Sequence, residues 1–243
     1  LDLDGWDAAH KAVILAFLAH GRWVRYPEMQ VQGIRRLSQL DFAAAMEFGY
    51  RIKVLAVIER DFSSNQLAVS VRPYLLPKEH PMARVDGVFN GISLLGDVVG
   101  ETLLVGRGAG PDPTSSAVIS DLADAAFELL GAPPPSISEE NVDVYAELAR
   151  GLTMQPLDAQ TGRFYLRLKV RDEAGVLAEL ARLLATHGVS IARLHQRDEP
   201  TGETADLILT THTTTESSIE ATAATLREVA TVLEEPFILK IFE

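Results

Sequence analysis

The amino-acid sequence predicts an α+β fold built from two successive units. Residues 51–60 and 66–76 alternate as strands on either side of a polar turn, and further strand patterns follow at 87–95 and 101–106. With helical patterns before and after them, these strands favour a mixed or antiparallel sheet with helices on one face. From residue 164 onward the order is β-α-β-β-α-β, which is that of a ferredoxin-like split βαβ unit.

The first element is an amphipathic helix that begins within LDLDGWDAAHK, with Asp4 as the predicted N-cap. Asp7 and Lys11 are four residues apart, so their side chains share one face of the helix. At this spacing an ordinary surface ion pair is the simpler interpretation. However, Asp2, Asp4 and Asp7 cluster at a helix start, where carboxylates can hold a substrate ammonium group while the lysine transfers a proton.

The same stretch resembles the catalytic-helix motif of homoserine dehydrogenases, D-x-x-G-x-D-x-x-x-K. In that family the motif carries a substrate-binding aspartate and a proton-transferring lysine. The resemblance therefore implies that Lys11 and Asp7 are catalytic and that Asp2 and Asp7 bind the substrate.

Gly21 is expected to end the first helix, and Asp41 to cap a second helix through residue 46. A glycine-rich turn then separates the fourth strand from a helix predicted at 117–130. Its Gly108, Ala109 and Gly110 allow a close backbone approach to an anion or a planar ring, although a tight structural turn is an equally reasonable interpretation.

The turn sequence GRGAGPDPTSSAV resembles a second homoserine dehydrogenase hallmark, G-x-G-A-G-x-x-P-T-A-S-A-V. By this resemblance the turn closes over the nicotinamide end of NAD or NADP, so Gly108, Ala109 and Gly110 would contact the cofactor. The following helix would pack on a nucleotide-binding domain. Without that domain, its apolar face would be exposed or covered by another chain. Asn90, within a strand, is a candidate polar group facing the same cleft.

An Ala-Pro-Pro-Pro run at 132–135 and a short helix near 142–150 predict a linker. The domain boundaries that follow are 1–131 for a catalytic and dimerisation domain, 132–162 for the linker and 163–243 for the second domain.

In the second domain, strands are predicted at 164–170, 190–197, 204–213 and 236–242, with helices at 174–187 and from Thr215 or Ser217 to 230. Residues 165–191 resemble the ACT domain, a module that binds amino acids at dimer interfaces. The resemblance implies effector binding at Asp172 and Gly175, while Asp172 fits equally well as a helix cap.

Composition argues against several classes of partner and site. A net charge of −12 argues against nucleic acid as a partner, and the lack of cysteine excludes disulfides and thiolate metal sites. No apolar run is long enough for a membrane span and no signal peptide is evident, so we expect a cytoplasmic protein without a metal or membrane partner.

Together, the resemblances imply NAD(P)-linked interconversion of L-homoserine and L-aspartate 4-semialdehyde, a step towards threonine, methionine and isoleucine. The chain starts inside a motif and lacks a nucleotide-binding pattern, so we expect a catalytic-plus-regulatory fragment that is inactive alone. The expected partners are a small amino-acid substrate, an effector such as threonine and further copies in a homodimer or homotetramer. A regulatory ACT protein without catalysis and a purely structural fragment are the alternatives.

Overall fold

The structure, a computed structural model, describes residues 1–131, 140–198 and 202–243. The predicted proline run and most of the predicted turn at 199–202 lie outside the described residues. The helices are α1 (Trp6–His20), α2 (Gln39–Glu47), α3 (Pro111–Leu129), α4 (Glu140–Leu148), α5 (Val176–Thr186) and α6 (Glu216–Arg227). No helix in these ranges is long and apolar enough to cross a bilayer.

The strands confirm the α+β prediction and lie close to the predicted positions. They are β1 (Gln30–Val31), β2 (Tyr50–Asp61), β3 (Gln66–Pro77), β4 (Phe89–Gly96), β5 (Gly100–Arg107), β6 (Thr153–Met154), β7 (Thr161–Arg171), β8 (Ile191–Asp198), β9 (Thr204–Thr211), β10 (Thr214–Thr215) and β11 (Phe237–Ile241). The order β11-β7-β9-β8 is that of the predicted ferredoxin-like unit.

One sheet runs through both halves of the chain, which the sequence did not predict. Strand β2 pairs antiparallel with β3 along its whole length. The other edge of β3 pairs in turn with β6, β1 and β11, all in parallel. Because β11 also pairs with β7, nine of the strands in the described ranges belong to a single sheet.

Helices cover both faces of this sheet. On β3, Leu67, Val69 and Val71 pack against α1, and Leu75 on the same face belongs to the cluster that includes Ala44 and Ala45 of α2. The opposite face of the ferredoxin-like part packs against α5 and α6. Helix α2 thus lies against the side of the second unit that its own helices leave open.

A buried carboxylate also joins the two halves. Asp41 on α2 is fully buried and accepts hydrogen bonds from the Tyr165 hydroxyl at 2.9 Å and from Arg167 Nε at 2.8 Å, both on β7. Its second oxygen accepts from the backbone N–H and the hydroxyl of Ser38. Since Ser38 is the N-cap of α2 and Asp41 is its third helical residue, the prediction that Asp41 is the cap was wrong by three residues.

Two further cap predictions were wrong for a shared reason. Helix α1 begins after Gly5 and α5 begins after Gly175, and both glycines have left-handed backbones, with φ values of 83° and 96°. Neither N-cap makes a side-chain hydrogen bond, so Asp4 and Asp172 are not the caps of these helices. Positive φ favours glycine over a capping aspartate at both positions.

We name β4, β5 and α3 together the arm. Strands β4 and β5 form a separate two-stranded sheet, and α3 begins at Pro111, six residues before its predicted start. Helix α3 contains no buried residue. Large exposed apolar side chains include Leu95, Val98, Ile119, Leu122 and Leu129. The arm therefore exposes an apolar helix face in this chain, as the sequence predicts.

Candidate functional site

The turn that leads into α1 is fixed to a neighbouring loop. Asp4 accepts two hydrogen bonds from the Arg35 guanidinium, with oxygen–nitrogen distances of 2.5 and 3.0 Å, and these bonds lower the pKa of Asp4. The backbone N–H of Ile34 donates to the carbonyl of Leu3 at 2.9 Å. A Cβ on Gly33 would approach that carbonyl oxygen to 2.3 Å, so only glycine allows this contact.

Helix α1 then presents Asp7 and Lys11 as a pair. Lys11 Nζ donates to Asp7 Oδ2 at 2.7 Å, and this hydrogen bond is the main cause of the lowered pKa of Asp7. The side chains are 51% and 65% exposed for Asp7 and Lys11 respectively. Asp2 is also exposed, in the short 3-10 turn before α1. The structure therefore places these three predicted site residues at one accessible helix end.

The glycine turn of the arm carries its own local geometry. The Gly108 N–H donates to the carbonyl of Val88 at 3.0 Å, and the Asn90 side chain lies so close that a Cβ on Gly108 would be 1.9 Å from its Nδ2. Gly110, with φ of 116°, is the N-cap of α3, and Ala109 lies between the two glycines. Asn90 therefore supports the turn by packing against its backbone.

A shallow groove of about 600 Å³ begins at Gly110. It is lined by Gly110, Pro111, Thr114, Ser115, Val118 and Ile119. Hydroxyl groups at one end and aliphatic side chains at the other suit a planar, partly apolar ring with polar substituents.

Among the described residues that line this groove, neither Asp7 nor Lys11 appears. The structure therefore brings Asp7 and Lys11 together, and Gly108 and Gly110 together, but it does not bring these two sets into one cavity. Within this chain, the Asp7–Lys11 pair and the groove at Gly110 are separate features.

The predicted effector loop follows β7. The backbone N–H of Asp172 donates to the carbonyl of Glu203 at 3.0 Å, and Gln196 Nε2 donates to Asp172 Oδ1 at 3.4 Å. Gly175, at the start of α5, lies at the other end of this loop. Asp172 is thus held towards β8 and the segment before β9.

Sequence reasoning missed Arg35 and Gly33, which anchor the start of α1. Both lie about thirty residues from their partners, and neither belongs to a recognisable local pattern. The only signal was the adjacent Arg35 and Arg36 in a chain with a large negative charge, and this does not identify their partners.

Comparison with known proteins gives this geometry a family context. A family model described as homoserine dehydrogenase matches residues 1–123, which is about half of the chain. The chain belongs to the homoserine dehydrogenase family. A second model, the ACT domain, matches residues 164–231.

Individual relatives agree with this assignment. The homoserine dehydrogenase of Neisseria gonorrhoeae is 36% identical over 98% of this chain and 54% of its own length. That of Helicobacter pylori is 34% identical over 99% of the chain and 54% of its own length. Among solved structures, the homoserine dehydrogenase from Thiobacillus denitrificans matches all of this chain and 54% of its own, with a TM-score of 0.84 and 33% identity. The chain thus spans about half the length of the curated relatives it matches.

Proposed function

We propose that this chain supplies the proton-transfer side of an NAD(P)-dependent homoserine dehydrogenase, which interconverts L-homoserine and L-aspartate 4-semialdehyde. The observation that carries the proposal is the Asp7–Lys11 pair, 2.7 Å apart at an accessible helix start that is anchored by Asp4 and Arg35. Family membership supports the reaction class.

Lys11 acts as the proton donor in the reductive direction. Hydride addition to an aldehyde carbon leaves negative charge on the oxygen, and an ammonium group both donates a proton and stabilises that charge. Asp7 orients the Lys11 ammonium through their hydrogen bond and contacts the substrate hydroxyl. Asp2, a few residues before, binds the substrate's own ammonium group.

The groove at Gly110 holds the nicotinamide end of NAD or NADP, which supplies or accepts the hydride when bound. Its chemistry fits this group: Thr114 and Ser115 offer hydroxyls to a carboxamide, and Val118 and Ile119 offer an apolar wall to a ring. Gly110, where an added Cβ would meet only Pro113 Cδ at 3.8 Å, permits a close backbone approach at the same end, and Gly108 and Ala109 precede it in the same turn.

A nucleotide-binding domain completes the cleft in this proposal. It would cover the exposed apolar face of α3 and hold the rest of the cofactor, with Gly110, Thr114 and Ser115 at the nicotinamide end and Lys11 as the proton donor. The proposed boundaries remain 1–131 for the catalytic domain, 132–162 for the linker and 163–243 for the ACT domain. The ACT domain binds an amino-acid effector such as threonine at the loop of Asp172 and Gly175, within a cytoplasmic homodimer or homotetramer.

A regulatory amino-acid-binding protein without catalysis is the second candidate. It is favoured by one observation, the match of residues 164–231 to the ACT family model. The two candidates differ in what happens when Lys11 is removed.

The test is Lys11→Ala in the enzyme that combines this chain with a nucleotide-binding domain. Consumption of reduced cofactor with L-aspartate 4-semialdehyde should fall at least about a hundredfold, with cofactor binding intact. Lys78→Ala is the matched control, since Lys78 is an exposed lysine with an acidic neighbour and no proposed role. Near-normal turnover in Lys11→Ala refutes the role of Lys11, and no turnover in the unaltered enzyme favours the second candidate.

A further inference from the structure

A cavity of about 380 Å³ lies at the junction between the two halves of the chain, and we name it the junction cavity. Its walls come from β1, β3 and β11 and from one face of α6. The α6 residues that line it follow the helical repeat, at Glu216, Ile219, Glu220, Ala223 and Arg227. The catalytic proposal uses no residue of this cavity.

The inner end of the junction cavity holds more positive than negative charge. Arg72 and Glu216 form an ion pair and are only 7% and 4% exposed. Lys240 Nζ lies 3.4 Å from the same Glu216 Oε1, and the Lys240 side chain occupies the space that a Cβ on Gly162 would fill. The buried carboxylate of Glu216 is therefore paired with two cations, Arg72 and Lys240.

Lys240 is affected both by its burial and by the neighbouring charges. Burial, and then the Arg72 charge, lower the pKa of Lys240 despite the nearby Glu216. Glu59 acts on Lys240 as a further carboxylate, but its side chain is exposed and therefore screened by solvent. Another anion close to Arg72 and Lys240 would relieve the repulsion between these two cations.

The cations at the outer end are already paired. Arg36 and Arg227 both contact the carboxylate of Glu235, and Arg36 also donates to the carbonyls of Glu235 and Pro236. Glu220 is exposed at this rim. The uncompensated positive charge is therefore confined to the inner end.

Two buried polar atoms of residues that line the cavity lack partners among the described residues. Arg72 Nε is a donor without an acceptor, and Gln30 Oε1 is an acceptor without a donor. Buried polar atoms without hydrogen bonds are costly and rare in native proteins. A bound molecule that accepts from Arg72 and donates to Gln30 would satisfy both.

We propose that the junction cavity binds a small aliphatic carboxylate that also carries an ammonium or hydroxyl group. Its carboxylate accepts from Arg72 Nε and pairs with Lys240, and its ammonium or hydroxyl donates to Gln30 Oε1. Val31, Ile219 and Ile238 supply an apolar wall for a short aliphatic group. The volume lies at the lower end of the range for small-molecule sites, which excludes bulky ligands.

This site is separate from the loop of Asp172 and Gly175. It lies between β1, in the first half of the chain, and α6 of the ACT unit. A ligand there contacts both halves of the chain at once.

The test is calorimetric titration of the full chain with ligands that share one branched aliphatic skeleton. These are free L-valine, α-hydroxyisovalerate, isovalerate and isobutylamine. L-valine or α-hydroxyisovalerate should bind at least about tenfold more tightly than isovalerate, which lacks the donor, and isobutylamine, which lacks the carboxylate, should not bind. Equal binding of all four ligands, or of none, overturns the proposal.

Variants locate the binding site. Lys240→Met should weaken binding at least about tenfold, and Ala223→Leu should abolish it by filling the cavity without altering a charge. Lys78→Met is the control that should bind normally, and Asp172→Asn tests whether the titrant binds at the effector loop instead. Normal binding by Ala223→Leu, or its loss in Asp172→Asn alone, overturns the proposal. Because binding is measured without turnover, the outcome is independent of the proposed catalysis.

Discussion

The Tyr165 hydroxyl donates a hydrogen bond to the fully buried carboxylate of Asp41, with 2.9 Å between the oxygens. Burial, and then the Asp41 charge, raise the pKa of Tyr165. The phenol therefore stays protonated and remains a donor. Because Asp41 is on α2 and Tyr165 is on β7, this bond links elements that are 124 positions apart in the sequence.

Removing that donor tests the strength of the link. Tyr165→Phe should lower the free energy of unfolding by about 1 to 2 kcal/mol, because the buried Asp41 oxygen loses one of its donors while the ring remains in place. Urea unfolding of the full chain followed by circular dichroism measures the change. Tyr26→Phe is the control, since Tyr26 is partly exposed, and a change there as large as in Tyr165→Phe would contradict the prediction.

A second prediction concerns the glycine at the start of α1. Gly5 and Gly49 have nearly equal φ values of 83° and 84°, but a Cβ on Gly5 would meet Val31 and the Gln32 carbonyl at 3.3 Å, whereas nothing lies within 4 Å of one on Gly49. Gly49→Ala should cost about 1 kcal/mol from backbone strain alone. Gly5→Ala should cost more, and equal losses in urea unfolding would show that the contacts with β1 are unimportant.

The Gly108–Asn90 contact predicts a compensating pair of substitutions. Gly108→Ala places a Cβ within 1.9 Å of Asn90 Nδ2, so the Asn90 side chain must move and the turn must loosen. In the complete enzyme the KM for the cofactor should rise severalfold. Adding Asn90→Ala removes the clash and should restore most of the affinity. If the double variant is no better than Gly108→Ala alone, the clash is not the cause.

Acid stability offers a fourth test. The Arg25 guanidinium and backbone N–H hold Glu28 and lower its pKa to about 2. Between pH 2 and the ordinary glutamate value of about 4.3, the unfolded chain binds more protons at this position, so stability falls as the pH drops through this window. Glu28→Gln should therefore lose less stability than the unaltered chain between about pH 4.5 and pH 2.

Chemical denaturation at several pH values measures this slope. Glu79→Gln is the matched control, because the Glu79 side chain is 72% exposed. If the free energy of unfolding falls equally with pH in the unaltered chain, Glu28→Gln and Glu79→Gln, then Glu28 does not contribute to the acid dependence of stability.

Local patterns predicted the elements well, because alternation along β2 and β3 and the helical repeat of α5 are properties of short segments. The same holds for the spacing of Asp7 and Lys11, which the structure confirms as one pair on one helix face. Caps were predicted less well, since aspartates precede both α1 and α5 but left-handed glycines begin these helices. A capping residue and a nearby aspartate look alike in a sequence.

Contacts between distant residues could not be predicted. Arg72 and Glu216 are 144 positions apart, and no periodicity relates them. The pairing of β3 with β11 is equally non-local, and it converts two expected sheets into one. That Lys11 does not line the groove at Gly110 is likewise a property of the tertiary structure, which local sequence does not encode.

The parallel pairing of β3 with β11 has a consequence for biosynthesis. Strand β3 ends at Pro77, whereas β11 begins only at Phe237. The ribosome therefore completes the β2–β3 hairpin long before β11, which pairs with the end of β3, emerges. During that interval the backbone N–H and C=O groups at the end of β3 are unpaired and can bond to strands of other nascent chains. Truncation before residue 237 should therefore yield aggregated protein rather than a free first domain.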